Sequence, residues 1–169
     1  MRNQAYTMPE TFERLLANLK SKDLALRIEA ILEFGRLREK SAVPALIESL
    51  SDSETRALAC WALGRIGEKS AVKDILMLLA DDDPLVRHEA VLALSRIKDR
   101  RAAKPIANLL RFDTDEKVRE ECAEALSAFP SENTITALKT AIQNDPSKLV
   151  RERASKSLVV LRLKKLGVK

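Results

Sequence analysis

A single histidine, His88, is followed directly by Glu89. An imidazole beside a carboxylate can bind a transition metal or pass a proton. One imidazole cannot surround a metal, and no Ser-His-Asp or Cys-His set exists beyond this one ring. The four glycines, Gly35, Gly64, Gly67 and Gly167, form no phosphate-cradling loop. The neighbouring carboxylates Asp82/Asp83 and Glu120/Glu121 read as turn and surface charges. Cys60 and Cys122 lie inside apolar helical pattern and read as buried, reduced thiols rather than a disulfide or redox pair. The chain is therefore read as non-enzymatic, with no catalytic residue, cofactor or metal, and His88 as a surface position of a helix.

The side chains suited to recognition are better organised. Tryptophan and arginine are the residues that most often anchor protein interfaces. The only Trp, Trp61, lies in TRALACWALGRIG, and that phrase returns with a fixed internal spacing. Arg27, Arg56, Arg87, Arg119 and Arg151 are 29, 31, 32 and 32 residues apart. Three residues after each comes a small side chain: Ala30, Ala59, Ala90, Cys122, Ala154. Seven after comes Phe34, Leu63, Leu94, Leu126 or Leu158, and ten after comes Leu37, Ile66, Ile97, Phe129 or Leu161. Offsets of three, seven and ten fall on one helical stripe. This helix is helix B of a repeat.

Helix A precedes it, with Leu15, Leu46, Ile75, Ile106 and Leu138 in equivalent places and Leu19, Leu50, Leu79, Leu110 and Ile142 four residues later. Pro9, Pro44 and Pro105 fall near its first turn, where a missing N–H costs nothing, and Pro84 and Pro146 near the start of helix B. Each arginine lies 15 residues before the next helix A start: Ala42, Ala71, Ala102 and Thr134. The expectation is a single all-α domain over 1–169 with five helix pairs at 9–37, 41–66, 70–97, 101–129 and 131–166. One pair cannot bury its apolar stripe alone, so stability must come from stacking.

This pattern resembles the HEAT-repeat family, specifically the short HEAT-like repeats of the phycobilisome-lyase type, over nearly the whole chain. The resemblance implies a right-handed α-α superhelix, a solenoid whose B helices line the concave face. It also implies a ladder in which an aspartate of the intra-repeat turn pairs with a helix-B arginine between repeats. Asp81/Arg87, Asp113/Arg119 and Asp145/Arg151 keep a six-residue gap, whereas Ser21 and Leu50 hold that offset in the first two repeats. There Asp23 and Asp52 lie only four before their arginines, so the ladder is expected in the later repeats alone. VRHEAVLAL is also similar to the His-Glu motif of deoxyhypusine hydroxylase, a di-iron HEAT-repeat enzyme. The positions here equivalent to its other His-Glu pairs are Ile28-Glu29, Ala57-Leu58, Glu120-Glu121 and Glu152-Arg153, which lack the imidazoles.

Opposite the core stripe, offset five carries Leu32, Trp61, Leu92, Glu124 and Lys156. Offset nine carries Arg36, Arg65, Arg96, Ala128 and Val160, and offset one carries Ile28, Ala57, His88, Glu120 and Glu152. The first three repeats thus present an apolar row, Leu32–Trp61–Leu92, beside a basic row, Arg36–Arg65–Arg96, with His88 near them. The expectation is a concave groove with Trp61 substantially exposed, holding a protein segment of apolar and acidic character. The alternative is that Trp61 turns sideways and packs between repeats.

Charge separates the remaining function classes. The net charge is +5, yet residues 131–169 hold nine Lys+Arg against three Asp+Glu, and residues 41–130 hold 13 against 16. A nucleic-acid surface should be basic along its length. Any such affinity is expected to be non-specific and confined to Arg151, Arg153, Lys156, Arg162, Lys164 and Lys165. A protein-binding adaptor or scaffold is the favoured reading; a nucleic-acid binder acting through the basic last repeat and a lyase-type enzyme subunit are the alternatives. No apolar run reaches the ~20 residues of a membrane helix, and MRNQAYTMPETFERLL has no apolar signal core, so a cytoplasmic place is expected. The last helix, with Val159, Val160, Leu161 and Leu163, is either a folded-back cap or a surface for self-association.

Overall fold

The computed structural model describes residues 8–165, with side chains from residue 11 to 164. The ends of the expected domain, including residue 166, the Lys165 side chain and Gly167, lie outside the described residues. Among those described there are ten α-helices and no strand. The A helices are α1 (Met8–Leu19), α3 (Val43–Glu48), α5 (Val72–Met77), α7 (Ala103–Phe112) and α9 (Glu132–Asn144). The B helices are α2 (Leu24–Leu37), α4 (Arg56–Ile66), α6 (Pro84–Ile97), α8 (Glu116–Ala125) and α10 (Lys148–Lys165). Each pair stacks on the next, so the molecule is an all-α solenoid with an A layer and a B layer.

Local chemistry sets the helix ends. The Asp23, Asp83 and Asp115 side chains accept the N–H groups of Ala25, Leu85 and Val118, capping α2, α6 and α8. Pro84 is at the first position of α6, where its fixed φ suits the helix. Pro146 stands two residues ahead of α10, in the turn. Arg38, Gly67 and Lys98 end α2, α4 and α6 with φ of 55°, 83° and 58°. Only glycine takes that conformation without strain, so Arg38 and Lys98 are held there by the capping N–H bonds to Phe34 and Leu94.

The periodic apolar positions form one continuous core. Ala30, Ala59, Ala90, Cys122 and Ala154 are fully buried, as are Phe34, Leu46, Ile75, Leu94, Ile106, Leu126 and Leu138. Burying one such large side chain contributes roughly 1.5–3 kcal/mol. Leu37 departs from the stripe: at the end of the outermost B helix it is 48% exposed, whereas Ile66, Ile97, Phe129 and Leu161 are buried.

The closest approach between B helices rests on a position outside that stripe. A methyl group on Gly64 would stand 2.6 Å from the Ala93 Cα, and one on Gly35 would stand 3.0 Å from the Ala62 Cα. The residue eight after one arginine therefore lies on the residue six after the next.

The arginines supply the second inter-repeat contact. Arg87 donates from Nε and Nη2 to both carboxylate oxygens of Asp113, each at 2.8 Å, and Arg119 does the same to Asp145 at 2.9 and 3.3 Å. Arg56 reaches Asp81 at 2.6 Å. Each arginine thus pairs with the turn of the following repeat. With its remaining edge it bonds its own turn: Arg87 donates to the carbonyls of Asp81 and Asp82, Arg119 to those of Asp113 and Thr114, and Arg151 to those of Asp145 and Pro146. The ladder also reaches further toward the N-terminus than expected. Asp52 lies 3.0 Å from Arg27 Nε despite its four-residue offset, because the shorter turn of the second repeat carries it to the same place. Arg27 Nε and Arg56 Nε are both buried without a hydrogen-bond partner, so Arg27 meets Asp52 through charge and Arg56 holds Asp81 through Nη1 alone.

Two outcomes follow from these contacts. Gly64→Ala, which on an open helix would stabilise by ~1 kcal/mol, should instead cost ~1–3 kcal/mol through overpacking, and the melting temperature should fall by several degrees; an unchanged or higher value would show that the helices do not touch there. The second concerns acid. Burial opposes ionisation of Asp52, Asp81 and Asp113, but their hydrogen bonds and the arginine charges more than offset it, and all three carboxyls titrate below their ordinary value. A lowered folded value stabilises above the unfolded value near 3.8 and loses that contribution as pH falls through the folded one. Urea midpoints should therefore hold above about pH 5 and drop below about pH 4, and Asp113→Asn should flatten that drop.

Candidate functional site

The two layers are not equally spaced. B helices meet through Gly35, Ala62, Gly64 and Ala93, with almost no side chain between them. Between the A helices α7 and α9 an open cavity of about 630 Å³ remains, lined by Ala107, Asn108, Thr136, Ala137 and Thr140 among others. The B helices are thus the more closely packed layer, and their solvent-facing side carries the residues at offsets one, five and nine.

On that side Leu32 is 39% exposed, Leu92 is half-buried, and Arg36 and Arg96 are exposed. Trp61 differs from expectation. It is half-buried and packs on the core, with the Cζ3 edge of its ring against Gly35, 2.5 Å from where a Cβ would stand. Gly35 has no side chain, and the indole fills the vacant space by leaning toward α2. Arg65 completes the arrangement: its guanidinium lies 5.3 Å from the centroid of the Trp61 ring, and its Nε donates to the Gly35 carbonyl at 3.1 Å. The cation–π stack lies within α4, and its two contacts with Gly35 join that helix to α2. The basic row is thus heterogeneous. Arg65 is fixed across the repeat boundary, Arg36 is paired with Glu33 on its own helix at 2.6 and 2.8 Å, and Arg96 is exposed.

Toward the C-terminus the same face turns acidic. His88 lies between Glu89, 3.5 Å from Nδ1, and Glu121 of the next repeat, 3.6 Å from Nε2. Both distances are long for hydrogen bonds, so the contacts act mainly through charge. Glu120 and Glu124 are bridged by Arg153 of the last repeat. His88 is therefore less a free surface residue than a link between α6 and α8. Among the described residues no three His, Cys, Asp or Glu side chains converge on a metal position. One imidazole beside two carboxylates also does not supply the donor set of a di-iron site, so no step through such a centre is derived. Burial pushes the Cys60 thiol up to about 12 and raises Cys122 as well, so both stay protonated and poorly nucleophilic.

The two most exposed large apolar side chains among the described residues have no place in the periodic reading. Phe112 is 68% and Met77 71% exposed, and Arg111 stacks 4.8 Å from the Phe112 ring centroid. Phe112 occupies the one residue by which the Leu110–Asp113 interval exceeds Leu79–Asp81. That irregularity was visible in the spacing, but nothing in it pointed to exposure.

A stacked all-α solenoid with one close-packed layer defines the class of repeat scaffolds. The chain belongs to the HEAT-repeat family: the pattern described as HEAT repeats matches residues 12–84, 48–113 and 75–159. Among solved structures it is similar to the complex of CpcE and CpcF of phycocyanin lyase from Nostoc sp. PCC7120, at 28% identity and a TM-score of 0.78, covering 98% of this chain and 69% of that one. It is also similar to human deoxyhypusine hydroxylase in complex with glycerol, at 25% identity and a TM-score of 0.63 over 91% of this chain and 63% of that one. An engineered protein matches at 25% identity and a TM-score of 0.63, over 88% of this chain and 80% of that one. A comparison with curated protein sequences gives no match. Enzymes and scaffolds both occur among these relatives. No helix among the described residues is long and apolar enough to cross a membrane.

The His88 contacts have a measurable consequence. The neighbouring Glu89 carboxylate, and secondarily Glu121, raise the His88 value above 6.5 against the opposing effect of burial. Burial in turn raises Glu121. A raised folded histidine value stabilises fully below the unfolded value and is lost as pH rises through the folded one. The His88 ring resonances should titrate with a midpoint above 6.5, and Glu121→Gln should move that midpoint down. A midpoint at or below the ordinary value would show that His88 does not sit between the two carboxylates.

Proposed function

We propose that this chain is a non-enzymatic protein-binding unit whose concave B-helix face holds a segment of a partner protein. What supports the reading is the exposed Leu32 and the half-buried Trp61 and Leu92 on the B-helix face, beside Arg96 and the Arg65 stack. A partner segment with apolar and acidic side chains fits it, because carboxylates form charge-assisted bonds with exposed guanidinium groups. His88 lies at the far end of this surface, between Glu89 and Glu121. The similarity over 98% of the chain to a structure that is a complex of two proteins supports a role that needs a protein partner.

That relative belongs to a lyase, which supports a second reading, in which the chain is the subunit of a two-protein enzyme. Nucleic acid is disfavoured as a partner. Arg153 is engaged by Glu120 and Glu124 and Lys164 donates to a backbone carbonyl, which takes two of the basic groups of the last repeat away from phosphates.

Affinity capture from the source cells, using the wild type and surface variants, tests the reading. Because Trp61 also packs on the core, Trp61→Ala should lower stability as well as binding. Leu32→Glu and Arg96→Glu, both at exposed positions, separate the two effects. Both should leave the melting temperature within about 2 °C, since surface changes usually stay within ~0.5 kcal/mol, and should release the captured partner. A partner retained by both variants would place the binding surface elsewhere.

A further inference from the structure

Asparagine is scarce in this chain and is gathered in one place. Three of its five asparagines, Asn108, Asn133 and Asn144, line the open cavity of about 630 Å³ between α7 and α9. None of these three carboxamides has a hydrogen-bond partner among the described residues. Thr136 and Thr140 line the same cavity. Thr140 donates to the Thr136 carbonyl at 3.0 Å, which leaves its own oxygen able to accept. Three of the four charged groups in the lining are already paired: Arg119 with Asp145, and Asp113 with Arg87. The fourth, Arg111, stacks on the exposed Phe112 and has no carboxylate partner among the described residues.

The lining belongs to one repeat boundary only. With Leu15, Leu46, Ile75, Ile106 and Leu138 taken as equivalent, Thr136 stands where the other A helices have Glu13, Pro44, Lys73 and Lys104. Thr140 stands where α5 has Met77. Elsewhere the A layer puts a charge or a ring at this place, whereas α9 puts a neutral hydroxyl there.

The spacing limits what fits. Asn133 and Asn144 are eleven residues apart on α9, which at 1.5 Å per residue is about 16 Å. A single sugar ring or nucleobase does not span that distance, but about five residues of extended chain do, at ~3.3 Å each. A carboxamide offers an acceptor and two donors, the complement of a peptide group's N–H and C=O. With the carboxylates paired, the cavity holds nothing to compensate a basic ligand, and Arg111 is free to meet one acid.

We propose that the cleft between α7 and α9 is a second binding site, which takes an extended segment of a partner protein. That segment is small and uncharged along its length, with one acidic side chain against Arg111. Asn108, Asn133 and Asn144 pair with its main chain, and its small apolar side chains lie against Ala137 and Ala141. The site belongs to the A layer and is separate from the B-helix face.

The probe is a pool of random heptapeptides displayed on phage, selected on the immobilised full-length chain. Enriched sequences should be dominated by small neutral residues with one Asp or Glu. The most enriched peptide, synthesised with a fluorophore, is then measured by anisotropy. Thr136→Lys, which gives α9 the residue that α7 has there, should weaken binding at least ten-fold, as should Asn133→Ala/Asn144→Ala. All three positions are exposed, so folding is retained, and circular dichroism melting checks this. Reselection on Arg111→Glu should exchange the acidic preference for a basic one. Leu32→Glu/Arg96→Glu should leave the affinity unchanged; a loss with that variant and not with Thr136→Lys would assign the peptide to the B-helix face and overturn the proposal. So would the absence of any enrichment, a basic preference in the wild type, or equal binding to Thr136→Lys. A neutral oligosaccharide bound from a glycan array in place of peptides, and lost with Thr136→Lys, would overturn it in favour of a sugar.

Discussion

In Arg27, Arg87 and Arg119 the guanidinium at the first turn of the B helix faces two ways. One edge holds the carbonyls of its own turn, and the other holds an aspartate whose second role is to shape the next turn. Asp113 shows the economy of this: Oδ1 accepts the Asp115 N–H while both oxygens receive Arg87. These pairs are largely shielded from water, with the Arg87 and Asp113 side chains 12% and 2% exposed. Such pairs are costly to break from one side, because the remaining charge stays buried and uncompensated. The spacing of the repeats, and so the face they present, depends on this geometry. The apolar stripe drives stacking without fixing rotation, since apolar contact is non-directional; the bidentate pair and the Gly–Ala contacts supply the direction.

The fold was largely legible in the sequence because its two governing signals are local and repeated. The offsets of three, seven and ten after each arginine marked the buried stripe in four of five repeats, with Leu37 the exception. The ladder partners were legible only in part. Asp81, Asp113 and Asp145 stood at a constant offset, but Asp52 did not, since a shortened turn changes the count without changing the position reached. The glycine contacts carry no signal in the core stripe, because they join offsets eight and six, which lie outside it.

The candidate site was less legible, for a physical reason. Helical periodicity assigns a direction to each Cβ but not the path of a long side chain. Trp61 leaves its Cβ in the expected direction, and its ring then leans over Gly35. Arg36 and Arg65, equivalent by offset, part for similar reasons, one drawn to Glu33 on its own helix and the other to the Gly35 carbonyl. Contacts that belong to one repeat only, such as the approach of His88 to Glu121, have no periodic signature. Neither does Phe112, which stands where the repeat length changes. In a solenoid, what is common to all repeats specifies the scaffold, and what is peculiar to one specifies the ligand.

A double-mutant cycle on Arg87 and Asp113, measured by urea denaturation of the two alanine variants and their combination, tests the ladder most directly. If the shielded pair sets the joint between the third and fourth repeats, the coupling should be ~2–3 kcal/mol, at the upper end for residues in contact. A coupling below ~0.5 kcal/mol, the range of exposed surface pairs, would mean that the repeats are held in register by apolar packing alone.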